Sequence, residues 1–302
     1  MTEPVVRERE VAQRTISKAR VLLEALPYMK EHSGKTVVVK LGGAAMTDPG
    51  PATSFAEDVA LLRLAGVRVV VVHGGGPQIS ELSERLGIET RFERGLRVTD
   101  AETLEVARMV LLGKINTEIV AAINRQGVPA AGVSGDDGAL FVARPKERTS
   151  EGVDLGLVGD IVEVRPALLQ DLMQHFVPVV ASTATDGKGQ GYNVNADEAA
   201  SALAVALGAG KLIFMTDVPG LYEELDGVEQ LLSEVSLDEC ERLLADGVVE
   251  GGMVPKVEAV LQAMKGGVRR AHILDGRVPH ALILEMFTPE GLGTMITSEV
   301  DR

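Results

Sequence analysis

Two valine-rich runs each end in glycine: Thr36-Val37-Val38-Val39-Lys40-Leu41-Gly42-Gly43 and Val69-Val70-Val71-Val72-His73-Gly74-Gly75-Gly76-Pro77. Continuous β-branched runs of this kind belong to strands covered on both faces, as in a parallel sheet. The glycines mark where such strands leave the sheet. There, freed backbone N–H groups and the positive end of a following helix favour a phosphate or carboxylate. Two such ends predict two anionic groups held face to face. Lys40 stands inside the first run, where an ammonium needs a negative partner or an escape to solvent.

From residue 36 onward, β-rich runs alternate with helical patterns, and strands are expected at 36–41, 67–73, 128–133, 176–181, 211–216 and 272–275. Helical periodicity joins them over 55–64, 77–86, 99–124 and 197–207, the third opened by a Thr99-Asp100-Ala101-Glu102 capping box. The alternation predicts an α/β fold, a three-layer αβα sandwich around a mainly parallel sheet, with ligands at the carboxyl ends of the strands. One stretch breaks the rhythm: 140–143 and 153–164 read as an antiparallel hairpin over the sheet edge, placed as a lid. Residues 1–34 form a helical extension in which Val11, Thr15, Ala19, Leu22, Leu23 and Leu26 recur at helical spacing until Pro27 breaks or bends it. That stripe needs cover, on its own domain or on another subunit. No linker is visible, so a division into two lobes, 35–208 and 209–302, rests on fold logic.

The 302 residues carry 30 Lys and Arg against 44 Asp and Glu, a formal net charge of −14. That sign argues against a nucleic-acid partner and against an anionic membrane surface. An anionic ligand therefore needs a local positive focus. No apolar run reaches the ~18 residues of a membrane span, and the N-terminus resembles neither a secretory signal nor a transit peptide. Cys240, the single cysteine, excludes an intrachain disulfide and fits a reducing, cytoplasmic setting. Its acidic neighbours make it structural rather than reactive.

Several residues can carry chemistry. Lys40 either snorkels outward or serves an anion, and Gly42 and Gly43 favour the second, because glycine admits a phosphate close to the backbone. Gly74-Gly75-Gly76-Pro77 is a strand-to-helix turn that fits neither the Walker A pattern nor the dinucleotide fingerprint, whose last glycine is replaced by Ile79. A nicotinamide oxidoreductase is thereby disfavoured. His73 ends its strand and draws no role. Arg97 either grips a carboxylate bidentately or lies exposed in its loop. Asn193, Asn195 and Asp197 precede a helix without completing a calcium loop. Asp197 either caps that helix or helps orient a substrate and nearby lysines. Lys256 occupies a first helical turn, where a cation opposes the macrodipole by ~0.3–1 kcal/mol, a placement suited to an anion lying between the two. Asp217, in Thr216-Asp217-Val218-Pro219-Gly220-Leu221, shapes a nucleotide pocket or only a turn.

Taken in order, Lys40-Leu41-Gly42-Gly43, His73-Gly74-Gly75-Gly76-Pro77, Gly95-Leu96-Arg97-Val98-Thr99, Asn193-Val194-Asn195-Ala196-Asp197, Thr216-Asp217-Val218-Pro219-Gly220 and Gly252-Met253-Val254-Pro255-Lys256 resemble the N-acetylglutamate kinases of the amino-acid kinase superfamily. The resemblance runs from about residue 35 to the end. It implies the amino-acid kinase fold and ATP-dependent phosphorylation of the side-chain carboxylate of N-acetyl-L-glutamate in arginine biosynthesis, with magnesium arriving on ATP and no protein-held metal. By the same resemblance, Lys40 and Lys256 stabilise the transferring group and Asp197 organises them. Gly75, Gly76, Arg97 and Asn193 hold the acceptor, and Gly42, Gly43, Asp217, Gly220 and Leu221 contact the nucleotide. Ala44-Ala45-Met46 departs from relatives that carry an asparagine before the alanine. Arginine-inhibited members resemble this chain in their N-terminal helix, which links dimers into a hexamer; this implies L-arginine as inhibitor, with Glu285 and Gly291 as regulatory residues. The alternatives are an amino-acid kinase for aspartate, glutamate or carbamate, and a non-catalytic arginine sensor.

Overall fold

The computed structural model describes residues 19–42, 49–93, 95–149, 152–225, 228–289 and 291–298. Gly43, Ala44, Val11 and Thr15 lie outside them. Eight strands form one sheet: β1 (Thr36–Leu41), β2 (Arg68–His73), β3 (Ala130–Ser134), β4 (Val177–Ala181), β5 (Lys211–Thr216), β6 (Glu234–Ser236), β7 (Arg270–Asp275) and β8 (Thr294–Thr297). Their spatial order is β6-β8-β7-β5-β1-β2-β4-β3, and every pairing is parallel except β7 with β8. The six expected strands are all present, within two residues at each end. The two unforeseen ones, β6 and β8, are only three and four residues long and carry no valine run to announce them.

Alternation along β1 explains the three layers. Val37, Val39 and Leu41 face one side, where they pack with Phe55, Val59 and Leu62 of helix Pro49–Leu64 and with Ala281, Leu282 and Met286 of helix Ala281–Phe287. Val38 faces the other side, with Ala200 and Leu203 of helix Ala196–Ala206 and Val257 and Val260 of helix Val254–Lys265. Val38, Val39, Val70, Val71 and Val72 are wholly buried. At roughly 1.5–3 kcal/mol for each such side chain, β1 and β2 make a stiff floor beneath whatever their carboxyl ends carry.

Three local expectations need correction. The helix expected from 99 begins at Ala101, because Asp100 rather than Thr99 is the cap, its Oδ1 accepting the Thr103 N–H at 2.8 Å. That helix is also not uniform: Met109–Asn116 winds as a π-helix between Ala101–Arg108 and Thr117–Arg125. The N-terminal extension stays helical through 19–32, passing Pro27 without a break. Pro27 and Leu23, whose carbonyl loses its helical N–H partner, both lie on the exposed side, where water can satisfy that carbonyl. Ala25, Tyr28 and Met29 pack onto the sheet, while Leu22 and Leu23 remain 69% and 66% exposed.

The expected hairpin is present as Phe141–Pro145 paired antiparallel with Gly159–Val164. It joins Thr183–Thr185 and Gly191–Asn193 in a separate four-stranded sheet. A bridge from Val158 to Asn193 ties the connection before Gly159 back to this sheet, and one from Gly156 to Thr99 ties it to the start of helix Ala101–Arg108.

Candidate active site

The carboxyl ends of β1, β2 and β4 open into a cavity of about 250 Å³ lined by Lys40, Gly42, Gly74, Gly75, Gly76, Arg97, Asn193 and Asp197, among others. The two-residue period of β1 explains the position of Lys40. Its side chain emerges on the face of Val38, toward helix Ala196–Ala206, and its ammonium lies 2.9 Å from Asp197 Oδ1. Lys256, in the first turn of Val254–Lys265, donates to Asp197 Oδ2 at 2.9 Å. Asp197 is free to bridge the lysines because Asn195 does the capping, its Oδ1 accepting the N–H groups of Asp197 and Glu198 at 2.7 and 3.2 Å.

The electrostatics follow from burial. Desolvation opposes the charge on Asp197, but the Lys40 and Lys256 ammoniums outweigh it and hold the carboxyl below its usual range. Burial also pulls the Lys40 pKa down, against the attraction of Asp197. Two ammoniums around one carboxylate leave a local surplus of positive charge on a chain of net charge −14. Gly42 shares in this, since a Cβ there would collide with the Lys40 ammonium.

Arg97 forms the opposite wall. Its Nη2 donates to Gly76 O and Ser80 Oγ, both at 2.7 Å, and its guanidinium stacks on Phe92 at 4.7 Å. Its Nη1 is buried without a hydrogen-bond partner. Asn193 closes the side, its amide donating to Thr99 Oγ1 at 3.3 Å.

The cavity therefore unites Lys40, Gly42, Gly75, Gly76, Arg97, Asn193 and Asp197, with Lys256 attached through Asp197. Asp217, Gly220 and Leu221 do not line it. They follow β5, the strand beside β1, where the Asp217 charge still reaches Lys40 and the Leu221 N–H donates to Thr294 Oγ1 at 2.8 Å. Glu285 and Gly291 stand at the other end of the sheet, in a cavity of about 380 Å³ with Glu31, His32, Lys211 and His272. There His272 Nδ1 lies 2.6 Å from Glu285 Oε1, and the Leu292 N–H donates to Oε2 at 2.8 Å.

Sequence reasoning missed Ser80, which anchors Arg97, and the buried pair His73–Asn116 behind the glycine turn. The signal for Asn116 was present: it shares an otherwise apolar helical stripe with Ile119 and Ile123.

A buried lysine at a strand end and a second lysine in the first turn of a helix, joined by one carboxylate beside a glycine-lined hollow that also holds a guanidinium, suit a small anionic ligand. Residues 35–275 match the amino acid kinase family. An acetylglutamate kinase from Acidothermus cellulolyticus is 54% identical over 287 residues, 93% of this chain and 96% of that protein. Among solved structures, N-acetylglutamate synthase from Neisseria gonorrhoeae, complexed with coenzyme A and N-acetyl-glutamate, superposes with a TM-score of 0.83 at 27% identity, over 93% of this chain and 64% of that one. The same synthase complexed with coenzyme A and L-arginine gives 0.81 at 27% identity, over 93% and 66%. The chain belongs to the amino acid kinase family, and within it to the acetylglutamate kinases.

Proposed function

We infer that this chain transfers the γ-phosphoryl group of ATP to the side-chain carboxylate of N-acetyl-L-glutamate, giving N-acetyl-L-glutamyl 5-phosphate and ADP in cytoplasmic arginine biosynthesis. The observation that carries the acceptor site is Arg97, a guanidinium fixed by two hydrogen bonds in the wall of the cavity that also holds Lys40 and Asp197. Gly75, Gly76 and Asn193 complete the seat, the Asn193 amide matching the acetamido group of the acceptor.

The chemistry needs no base. A carboxylic acid with a pKa of about 4 is already ionised near neutrality. One of its oxygens bonds to the γ-phosphorus as the bond to the β–γ bridging oxygen breaks, and ADP departs with that electron pair. The obstacle is the approach of two anions, and Lys40 and Lys256 offset it by meeting charge on the equatorial and leaving oxygens. Asp197 spaces the two ammoniums. Gly42, Asp217, Gly220 and Leu221 belong to the nucleotide side. Magnesium comes with ATP, held by phosphate oxygens and water. Among the described residues, no group of three or more His, Cys, Asp or Glu side chains converges to hold a metal.

The sheet order supports a two-lobe division near residue 209. Every strand after it, β5 to β8, lies on one side of the β5–β1 junction, and β1 to β4 lie on the other. Trapping the acyl phosphate with hydroxylamine across a panel of N-acetylglutamate, glutamate, aspartate and carbamate tests the assignment. N-acetylglutamate is expected to be the preferred acceptor, and a preference for any other would overturn it.

L-Arginine is proposed as feedback inhibitor at the second cavity. Glu285 offers a carboxylate to a guanidinium, and the exposed Leu22 and Leu23 offer the helix 19–32 a second copy to pack on, linking dimers into a hexamer. Removing residues 1–26 should shrink the oligomer and weaken inhibition; an unchanged size and arginine response would refute this.

A further inference from the structure

Behind the glycine turn, the period of β2 places His73 on the face of Val69 and Val71, toward the π-helical segment Met109–Asn116. His73 is completely buried. Its Nε2 lies 3.0 Å from Asn116 Nδ2, and its Nδ1 lies 3.0 Å from Gly74 O. The Asn116 amide nitrogen is itself fixed as the donor, because one of its two hydrogens goes to Val179 O at 2.9 Å and the other to His73 Nε2, Val133 O lying farther away at 3.4 Å. An amide N–H can only donate, so His73 Nε2 must accept and its single proton must sit on Nδ1. That proton is then given to Gly74 O. Burial drives the imidazole pKa down to about 4, so the neutral tautomer persists near neutrality.

The consequence runs through one peptide plane. In a trans peptide the C=O and the following N–H point in opposite directions, so pinning Gly74 O also pins the Gly75 N–H. The same π-helical segment braces this turn sterically, since a Cβ on Gly75 would run into Ile115 and Leu111. π-Helical turns are retained mostly where they place side chains for function.

We propose that His73, held in its Nδ1–H tautomer by Asn116, is a positioning residue that orients the Gly74–Gly75 peptide to receive the acceptor carboxylate. This rests on the reading of Gly75 and Gly76 as the acceptor seat. Two substitutions separate positioning from packing. In His73→Asn, the side-chain amide falls near the position of Nδ1 and can still donate to Gly74 O. In His73→Gln, the longer amide can satisfy Asn116 but leaves Gly74 O without its donor. His73→Gln is expected to raise the KM for N-acetylglutamate about tenfold, the loss that follows from leaving one buried polar group unpaired. The KM for ATP should stay within about twofold, and His73→Asn should recover most of the acceptor KM. Nitrogen-15 NMR of the wild-type imidazole should place the proton on Nδ1. A proton on Nε2, or variants that lower Tm without moving the acceptor KM, would overturn the proposal. Gly75→Ala keeps the two readings apart. If it leaves the acceptor KM unchanged, the seat itself is wrong; if it raises that KM while His73→Gln does not, only the role of His73 fails.

Discussion

The two ends of the sheet each hold a carboxylate among cations, and they are built in opposite senses. At the carboxyl end, Asp197 bridges Lys40 and Lys256, and Arg97 adds a further positive group across the cavity. The carboxylate there is consumed by its partners, and the surplus is positive. At the amino end, Glu285 is engaged by His272, whose own pKa is lowered by burial, and by the Leu292 N–H. The neutral imidazole adds no full charge, and the positive charge acting on Glu285 comes from the Lys211 ammonium of the same cavity. The two ends thus differ in what meets the buried carboxylate: two ammoniums in direct contact at one, an imidazole and a backbone N–H at the other.

The largest effect that sharpens this contrast should come from Lys256→Ala. Turnover is expected to fall about 10²–10³-fold with little change in either KM, because the ammonium meets charge that develops in the transition state. Steady-state kinetics with both substrates varied would check it, and a rise in KM alone would move Lys256 to ground-state binding. Arg97→Ala comes next. The KM for N-acetylglutamate should rise roughly 10–100-fold as one charged hydrogen-bonding partner is lost, with the KM for ATP unmoved. At the other end of the sheet, Glu285→Gln should leave uninhibited activity unchanged and weaken arginine inhibition about tenfold in a dose-response titration.

The smallest effect concerns pH and stability. A histidine whose folded pKa is lowered to about 4 binds fewer protons than it does unfolded, so its contribution is present above pH 6.5 and lost as pH falls toward 4. Denaturant melts of wild type and His73→Asn should therefore converge across that window. Asp58, pushed up to about 6 by burial, acts in the opposite direction between pH 3.8 and 6, which makes the difference between the two proteins the informative quantity.

The same contrast describes what the chain made legible. β1 and β2 were readable because uninterrupted valines followed by glycine leave few alternatives, and Lys40, Gly75 and Gly76 came with them. Lys256 was readable as a cation in the wrong turn of a helix. Arg97 and Asp197 remained ambiguous from local sequence because their roles depend on partners far along the chain, Ser80 for one and Lys40 and Lys256 for the other. Asp100 was mistaken for an interior residue of a capping box because Thr99 and Asp100 are both good caps, and the bridge from Thr99 to Gly156, which occupies Thr99, is a tertiary contact. The π-helical turn left no periodic signature, and β6 and β8 are too short to show one. Val158, which also lines the cavity, was not legible because it reaches the site only through its tertiary pairing with Asn193.

The claim on which the account turns is that the surplus positive charge around Asp197 serves the transition state. Single-turnover phosphoryl transfer by Lys40→Ala, with ATP and N-acetylglutamate both saturating, measures that directly. The expected result is a rate lowered about 10²–10³-fold with both dissociation constants within about threefold of wild type. A near-normal rate, or a loss confined to binding, would contradict it.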